Sequence, residues 1–263
     1  MIAIAVMLFA SVSSLLEGKP SDKAWSVLQD ALSNKSSDKR AHATHALGSI
    51  PNNARAQTLA EKGLTDPNAD VRLAAANALG EMKATSARYR LREALKDREI
   101  KVVIAAANAL YVLHDPEAYQ VYYALLTGER KSSEGLLQSQ LDTLRDRKQM
   151  EKLLLETGIG FVPFGGMGWE AWKTITQDDT AAVRAAAAEK LVTDPDPKAA
   201  QGLVKCIDDK KWQVRAAAVN ALGRRGDPRM TETIVPLLFD ENDTVRYQAA
   251  AAILVLSQPK RRK

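Results

Sequence analysis

DPNADVRLAAANALG, residues 66–80, decides the fold, because the chain says it again and again. DREIKVVIAAANALY (97–111), DDTAAVRAAAAEKL (178–191), DDKKWQVRAAAVNALG (208–223) and DENDTVRYQAAAAIL (240–254) are the same motif with substitutions, and SSDKRAHATHALG (36–48) is a worn sixth copy. The motif arginine falls at Arg40, Arg72, Arg184, Arg215 and Arg246, with Val103 in that slot in one copy. Neighbouring copies therefore stand 31 or 32 residues apart. A fixed period of this length means one small unit stacked many times, each burying its apolar face against its neighbours.

Each unit reads as two antiparallel helices. The second helix opens at an Asp or Asn cap followed by Val-Arg, and Asp70 and Asp243 stand where a side-chain oxygen is expected to accept from first-turn amides. It then runs through alanines to Ala-Leu-Gly, where Gly48, Gly80 and Gly223 are expected to end it in a left-handed conformation. First helices such as DPEAYQVYYALL (115–126), PKAAQGLVKCI (197–207) and DPRMTETIVPLL (227–238) carry apolar residues at helical spacing. KAWSVLQDALS (23–33) fits the same template and begins the array. Roughly seven to eight helical pairs are implied by this period.

The rhythm breaks at the centre. DRKQMEKLLLET (146–157) is a good first helix, but GIGFVPFGGMGWEAW (158–172) follows it, holding Gly158, Gly160, Gly165, Gly166 and Gly168. Glycine and proline at this density forbid a continuous helix. The chain thus divides into a signal peptide or N-terminal anchor over 1–18, N-terminal repeats over 19–157, a glycine-rich apolar insert 158–168, C-terminal repeats over 169–259 and a basic tail 260–263.

The pattern D-x-x-x-V-R-x-x-A-A-x-A-L-G at a period of 31 resembles HEAT repeats of the short type named after phycobilisome lyases. The resemblance covers about residues 20–259, with 128–180 poorly matched. It implies an all-α, right-handed α-solenoid of stacked antiparallel helix pairs, a HEAT-like superhelix. It further implies that Arg40, Arg72, Arg184, Arg215 and Arg246 form a structural hydrogen-bond ladder with the motif aspartates, and that Val103 breaks one rung.

Composition narrows the function. The formal charge is +5, but Lys260, Arg261, Arg262 and Lys263 supply four of those charges, so the array has no positive stripe for nucleic acid. IAIAVMLFA (2–10) followed by SVSS (11–14) is too short to span a membrane and suits a signal-peptide core, although no Lys or Arg precedes it. Export to a periplasmic or extracellular compartment is expected if 1–14 is such a signal, and a cytoplasmic location otherwise. Cys206, the chain's one cysteine, excludes an intrachain disulfide and sits in the apolar phase of GLVKCIDD.

No catalytic constellation emerges. HEAT-fold hydroxylases hold a di-iron centre through repeated His-Glu pairs, and no such pair occurs here. His42 and His45 lie three apart on one helix, but no third ligand stands nearby in sequence to complete a site, and His114 is remote. HEAT-like alkylpurine glycosylases pair aromatic and acidic groups in a basic groove; Trp25, Trp169, Trp172 and Trp212 are present without that groove. GIG and GGMG lack the Lys-Ser or Lys-Thr of a phosphate loop. Neither a metal nor a cofactor is expected.

Two surfaces remain. The variable motif positions should face away from the core and pave a concave face: Leu73 and Asn77, Ile104 and Asn108, Glu189, Asn220, Tyr247 and Gln248, set among alanines. Such a smooth face could admit another backbone closely, or its alanines could simply favour helix. The insert supplies Ile159, Phe161, Val162, Phe164 and Met167, extended by Trp169 and Trp172. These form either an apolar contact patch for a protein or a membrane surface, or a plug where a helix is missing. The expected function is a non-enzymatic scaffold binding a protein or peptide partner through both surfaces. The alternatives are a HEAT-like enzyme of lyase or glycosylase type, and nucleic-acid binding through the basic tail.

Overall fold

The computed structural model describes residues 18–119, 121, 122 and 179–259. They are helical, with no strand among them: α1 (Pro20–Leu32), α2 (Ser37–Leu47), α3 (Ala54–Gly63), α4 (Ala69–Glu81), α5 (Arg88–Ala94), α6 (Ile100–Val112), α7 (Asp179–Lys190), α8 (Pro197–Cys206), α9 (Trp212–Arg225), α10 (Thr231–Ile234) and α11 (Asp243–Leu256). Short 3-10 turns lead into α5 and flank α10. The all-α solenoid expected from the period is what the chain forms.

Alanine builds it twice over. It favours helix intrinsically, and its small side chain lets second helices lie close together. Thus α2 packs on α4, α4 on α6, α7 on α9 and α9 on α11, while first helices cover them from one side. The second helices are buried nearly all round, as from Val71 to Ala76 and from Val102 to Ala107. The leucine slot of the motif becomes the centre of the core: Leu47, Leu79, Leu110, Leu222 and Ile253 are each 0% exposed.

The helix ends differ from the sequence expectation in two ways. The caps of α4 and α11 are Asn68 and Asn242, whose side chains accept from the amides of Asp70, and of Thr244 and Val245. Asp70 and Asp243 lie inside the first turn instead, on Lys101 and Arg246. An Asx side chain reaches amides two and three residues on, so the caps sit two residues before Asp70 and one before Asp243. The glycines are also not helix stops. Gly48 has φ −56°, and Gly80 and Gly223 lie within α4 and α9. Their role is close approach: a Cβ on Gly80 would stand 3.0 Å from the Ala109 Cα, and one on Gly223 2.9 Å from the Ala252 Cα.

The left-handed residue comes later, at Asn52 (φ 58°), Lys83 (φ 54°), His114 (φ 55°) and Gly226 (φ 70°). After α4 and α6 the chain closes a Schellman-type turn, with the Ala84 amide donating to the Leu79 carbonyl at 3.0 Å and Asp115 to Leu110 at 2.9 Å. His114 is therefore a turn residue. A non-glycine side chain here costs about 1–2 kcal/mol, partly offset by the greater unfolded-state freedom of glycine. Lys83→Gly and His114→Gly should each raise stability by about 0.5–1 kcal/mol in urea unfolding; a loss would show that the side chains hold the turns.

The array also returns on itself. The last helix, α11, packs on α1 and α2. Ser49, just beyond α2, donates to Gln248 of α11 at 3.3 Å, and Asn220 of α9 donates to Ser49 at 3.2 Å.

Candidate functional site

Two sets of polar side chains run through the repeats: one at the turns between helices, one on the inner face of the second helices. The turn set is the ladder. Arg72 places Nε and Nη2 on both carboxylate oxygens of Asp97, at 2.6 and 2.9 Å, while its Nη1 donates to the Asp66 and Pro67 carbonyls of its own turn. Arg40 does the same to Asp66 and to the carbonyls of Asn34 and Lys35. Arg215 repeats it with Asp240 and the carbonyls of Asp209 and Lys210. Arg184 reaches Asp209. Each aspartate also accepts from the amide two residues on, at Asn68, Glu99, Lys211 and Asn242. One guanidinium thus ties its own turn and the next repeat together, which its planar fork of donors permits and an ammonium does not.

Where Val103 removes an arginine, the core gains instead: Val103 packs with Ala107 and Val121. Asp115, 1% exposed, is held from α5 by Arg92 at 2.8 Å. Arg246 has its turn partners, the carbonyls of Asp240 and Glu241, and its carboxylate partner is Asp243 on its own helix. The five arginines are thus placed in the ladder positions, four of them bridging to the next repeat.

These pairs hold their carboxylates charged. The hydrogen bonds from Arg40 and from Arg184 bring Asp66 and Asp209 below the usual carboxylate range, against the upward push of burial. At Asp115 burial pushes up, and the Arg92 hydrogen bond, the Glu117 amide and the charges of Arg92 and Arg88 outweigh it, so the net direction is down. A depressed folded-state value stabilises above the unfolded carboxylate value, and that stability is lost as pH falls through the folded one. The melting temperature should therefore drop steeply below about pH 4, beneath any shallower fall near pH 6 from His42, whose basicity burial lowers; no steepening below pH 4 would mean that these carboxylates contribute nothing.

The inner-face set is where concave binding residues were expected. Leu73, Ile104, Tyr247 and Gln248 are buried, at 8%, 3%, 4% and 6% exposure, so these four do not pave an open groove. Leu73 and Tyr247 enter the core, and Gln248 meets Ser49 and Asn220 where the two ends of the array touch. The second helices are packed between their neighbours, so positions outside the motif's fixed residues are buried as well. Asn77, Asn108, Glu189 and Asn220 are part-buried. Asn108 accepts from the Tyr122 hydroxyl, Glu189 binds Arg224 at 2.5 Å, and the Asn77 amide nitrogen is buried without a partner.

His45 lies 3.8 Å from Glu81, and the charges of Arg224 and Glu189 also bear on that carboxyl. Burial pushes Glu81 up, against the pull of His45 and Arg224. Burial likewise lowers the basicity of His42, helped by His45. Among the described residues no three His, Cys, Asp or Glu side chains are placed to hold a metal ion, and no helix is long and apolar enough to cross a membrane. Cys206 is part-buried.

One solvent-facing feature was not foreseen. Tyr111 (52% exposed), Val112 (45%) and Tyr119 (58%) form an apolar patch. The Tyr111 ring sits edge-on to Tyr119 at 5.9 Å and to Tyr122 at 6.0 Å. Through Tyr122 and Asn108 the patch continues the inner face outward. Its sequence signal was YVLHDPEAYQVYY (111–123), with tyrosines at each end of a turn. The insert residues Ile159, Phe161, Val162, Phe164 and Met167, with Trp169 and Trp172, lie outside the described residues, as do 1–14 and 260–263.

No curated protein matches this chain. Among solved structures it is similar to human deoxyhypusine hydroxylase in complex with glycerol, at 17% identity over 90% of this chain and 96% of that one, with a TM-score of 0.36. It is also similar to the complex of CpcE and CpcF of phycocyanin lyase from Nostoc sp. PCC7120, at 16% identity over 90% and 95%, TM-score 0.35. An engineered protein matches at 17% identity over 89% and 96%, TM-score 0.30. The pattern of HEAT repeats matches residues 60–132 and 170–254, more than half of the chain. With the arginine–aspartate ladder in place between those repeats, the chain belongs to the HEAT-repeat family.

Proposed function

We propose that this HEAT-repeat array is a non-enzymatic scaffold that binds a protein or peptide partner. The observation that carries the reading is the tyrosine patch at Tyr111, Val112 and Tyr119, exposed at the end of the inner face. Tyrosine offers large contact area with little side-chain entropy to lose, and clustered exposed aromatics mark contact surfaces. The titratable groups of the inner face meanwhile engage one another, Glu81 with His45 and Glu189 with Arg224. General acid–base work needs such a group presented to a substrate. The central apolar insert, with Phe161 and Phe164, is the second contact in this proposal, and residues 1–14 direct export.

The test is capture of partners from the native host by the full chain, followed by a direct binding measurement with the captured protein. Tyr111→Ala with Tyr119→Ala should weaken binding at least about tenfold, as hot-spot truncations of roughly 1.4 kcal/mol or more do, with an unchanged circular dichroism spectrum. Unchanged affinity in both this variant and Phe161→Ala with Phe164→Ala would overturn the contact assignment. Sequencing the N-terminus of the native protein tests export, since a removed signal leaves a mature start beyond residue 14.

A further inference from the structure

We infer that Asn108 is the positioning residue of the tyrosine patch: its side chain fixes the Tyr122 ring, and through that ring the pose of Tyr111 and Tyr119. This role rests on the patch being the partner contact. The α6 copy departs from the motif at both positions that draw the next repeat close. Val103 stands in the arginine slot, and Tyr111 stands in the slot after the motif leucine, which is glycine at Gly48, Gly80 and Gly223. A Cβ at Gly48, Gly80 or Gly223 would stand 3.0, 3.0 or 2.9 Å from a Cα of the neighbouring second helix. A phenol ring in this slot cannot lie against a neighbour packed in that way, and Tyr111 is 52% exposed instead.

What α6 keeps is the asparagine two residues before the leucine, at Asn77, Asn108 and Asn220 alike. The three are used differently. Asn220 donates to Ser49 and Gln248, and the Asn77 amide nitrogen is buried without a partner. Asn108 accepts from the hydroxyl of Tyr122, 14 residues on. That bond ends a chain of rings. Tyr122 is half-buried and packs against both apolar clusters of the core. Burial, with Tyr111 beside it, pushes its hydroxyl up, so it stays a protonated donor. The Tyr111 ring stands edge-on to Tyr122 at 6.0 Å and 86°, and to Tyr119 at 5.9 Å and 75°. Edge-to-face contacts of this kind set ring orientation as well as distance. Tyr111 thus leans on a ring that is pinned at its hydroxyl, and Tyr119 leans on Tyr111. Rings ordered before a partner arrives have less freedom to lose on binding.

Tyrosine-ring NMR of the full chain tests the role without a partner, with Tyr111 and Tyr119 signals assigned by replacing each in turn with Phe. Asn108→Ala and Tyr122→Phe each remove the bond. In both variants the Tyr111 and Tyr119 signals should move toward those of free tyrosine, while Tyr89 and Tyr247 keep their native positions. The double variant should move them no further than the larger single change, since the same bond is lost in each. Unmoved Tyr119 signals, additive shifts, or equal shifts at Tyr89 and Tyr247 would each overturn the role. Affinity for the captured partner is the second readout: Asn108→Ala should weaken it about three- to tenfold by restoring ring freedom. Loss with Tyr111→Ala and Tyr119→Ala but none with Asn108→Ala would overturn the positioning and leave the contact standing. No loss with either would overturn the contact, and the positioning role with it.

Discussion

Arg215→Ala is expected to lower the stability of the array by about 3–5 kcal/mol, the loss measured when one partner of a buried ion pair is removed. Both side chains are 9% exposed, so truncation strands the Asp240 carboxylate away from water. The same change frees the Asp209 and Lys210 carbonyls that Nη1 now satisfies. Arg215→Lys should recover only part of the loss, because an ammonium cannot span both carboxylate oxygens and the turn carbonyls at once. Arg246→Ala is the internal contrast: it ties its own turn without bridging to another repeat, and should cost about 1 kcal/mol. Urea unfolding followed by circular dichroism reads both. Pairing Arg215→Ala with Asp240→Ala should cost clearly less than the sum of the single changes. Equal losses at 215 and 246 would mean that the bridge contributes nothing beyond the turn.

That contrast shows what was legible in the sequence. The period of 31 and the Val-Arg motif state the architecture, and a residue repeated in register makes a repeated contact: Arg40, Arg72, Arg184 and Arg215 each reach an aspartate of the next repeat, whereas Arg246 pairs within its own helix. The partner aspartates can be found afterwards as the residue six before the arginine slot of each following motif, at Asp66, Asp97, Asp209 and Asp240. What depends on three-dimensional register was read less well. Asn68 rather than Asp70 caps α4, since both are good capping residues and only backbone geometry chooses between them. The junction between the two ends of the array is not written in any local pattern: Ser49 and Gln248 occupy different motif positions 199 residues apart. Tyr111 closes a motif copy and Tyr119 falls in a segment of helical spacing, and only their exposure distinguishes a surface patch from core.

The glycines carry the sharpest correction, and it yields two changes of the same chemistry with opposite signs. Gly202→Ala in α8 meets nothing within 4 Å, so it should stabilise by up to about 1 kcal/mol, the helix-propensity difference between the two residues. Gly223→Ala gains the same propensity, but its new Cβ would stand 2.8 Å from the Ala252 Cβ and 2.9 Å from the Ala252 Cα. The second of these is backbone, which no rotamer can move. To make room α9 and α11 must separate, and overpacking of that kind costs about 1–3 kcal/mol. The net is a loss of up to about 2 kcal/mol for alanine, and a larger one for valine, whose branches add to the clash and lower helix propensity. Ala252→Gly in the Gly223→Ala background removes the 2.8 Å contact but leaves the backbone one, so rescue should be partial. If Gly223→Ala instead stabilised as Gly202→Ala does, the glycine would be a vestigial helix stop and the helices would have slack. Close approach predicts the reverse, and Gly80 against Ala109, with a Cβ 3.0 Å from the Ala109 Cα, should behave as Gly223 does. The motif's terminal glycine thus sets how near one repeat can lie to the next, and so how tightly each arginine can reach its aspartate.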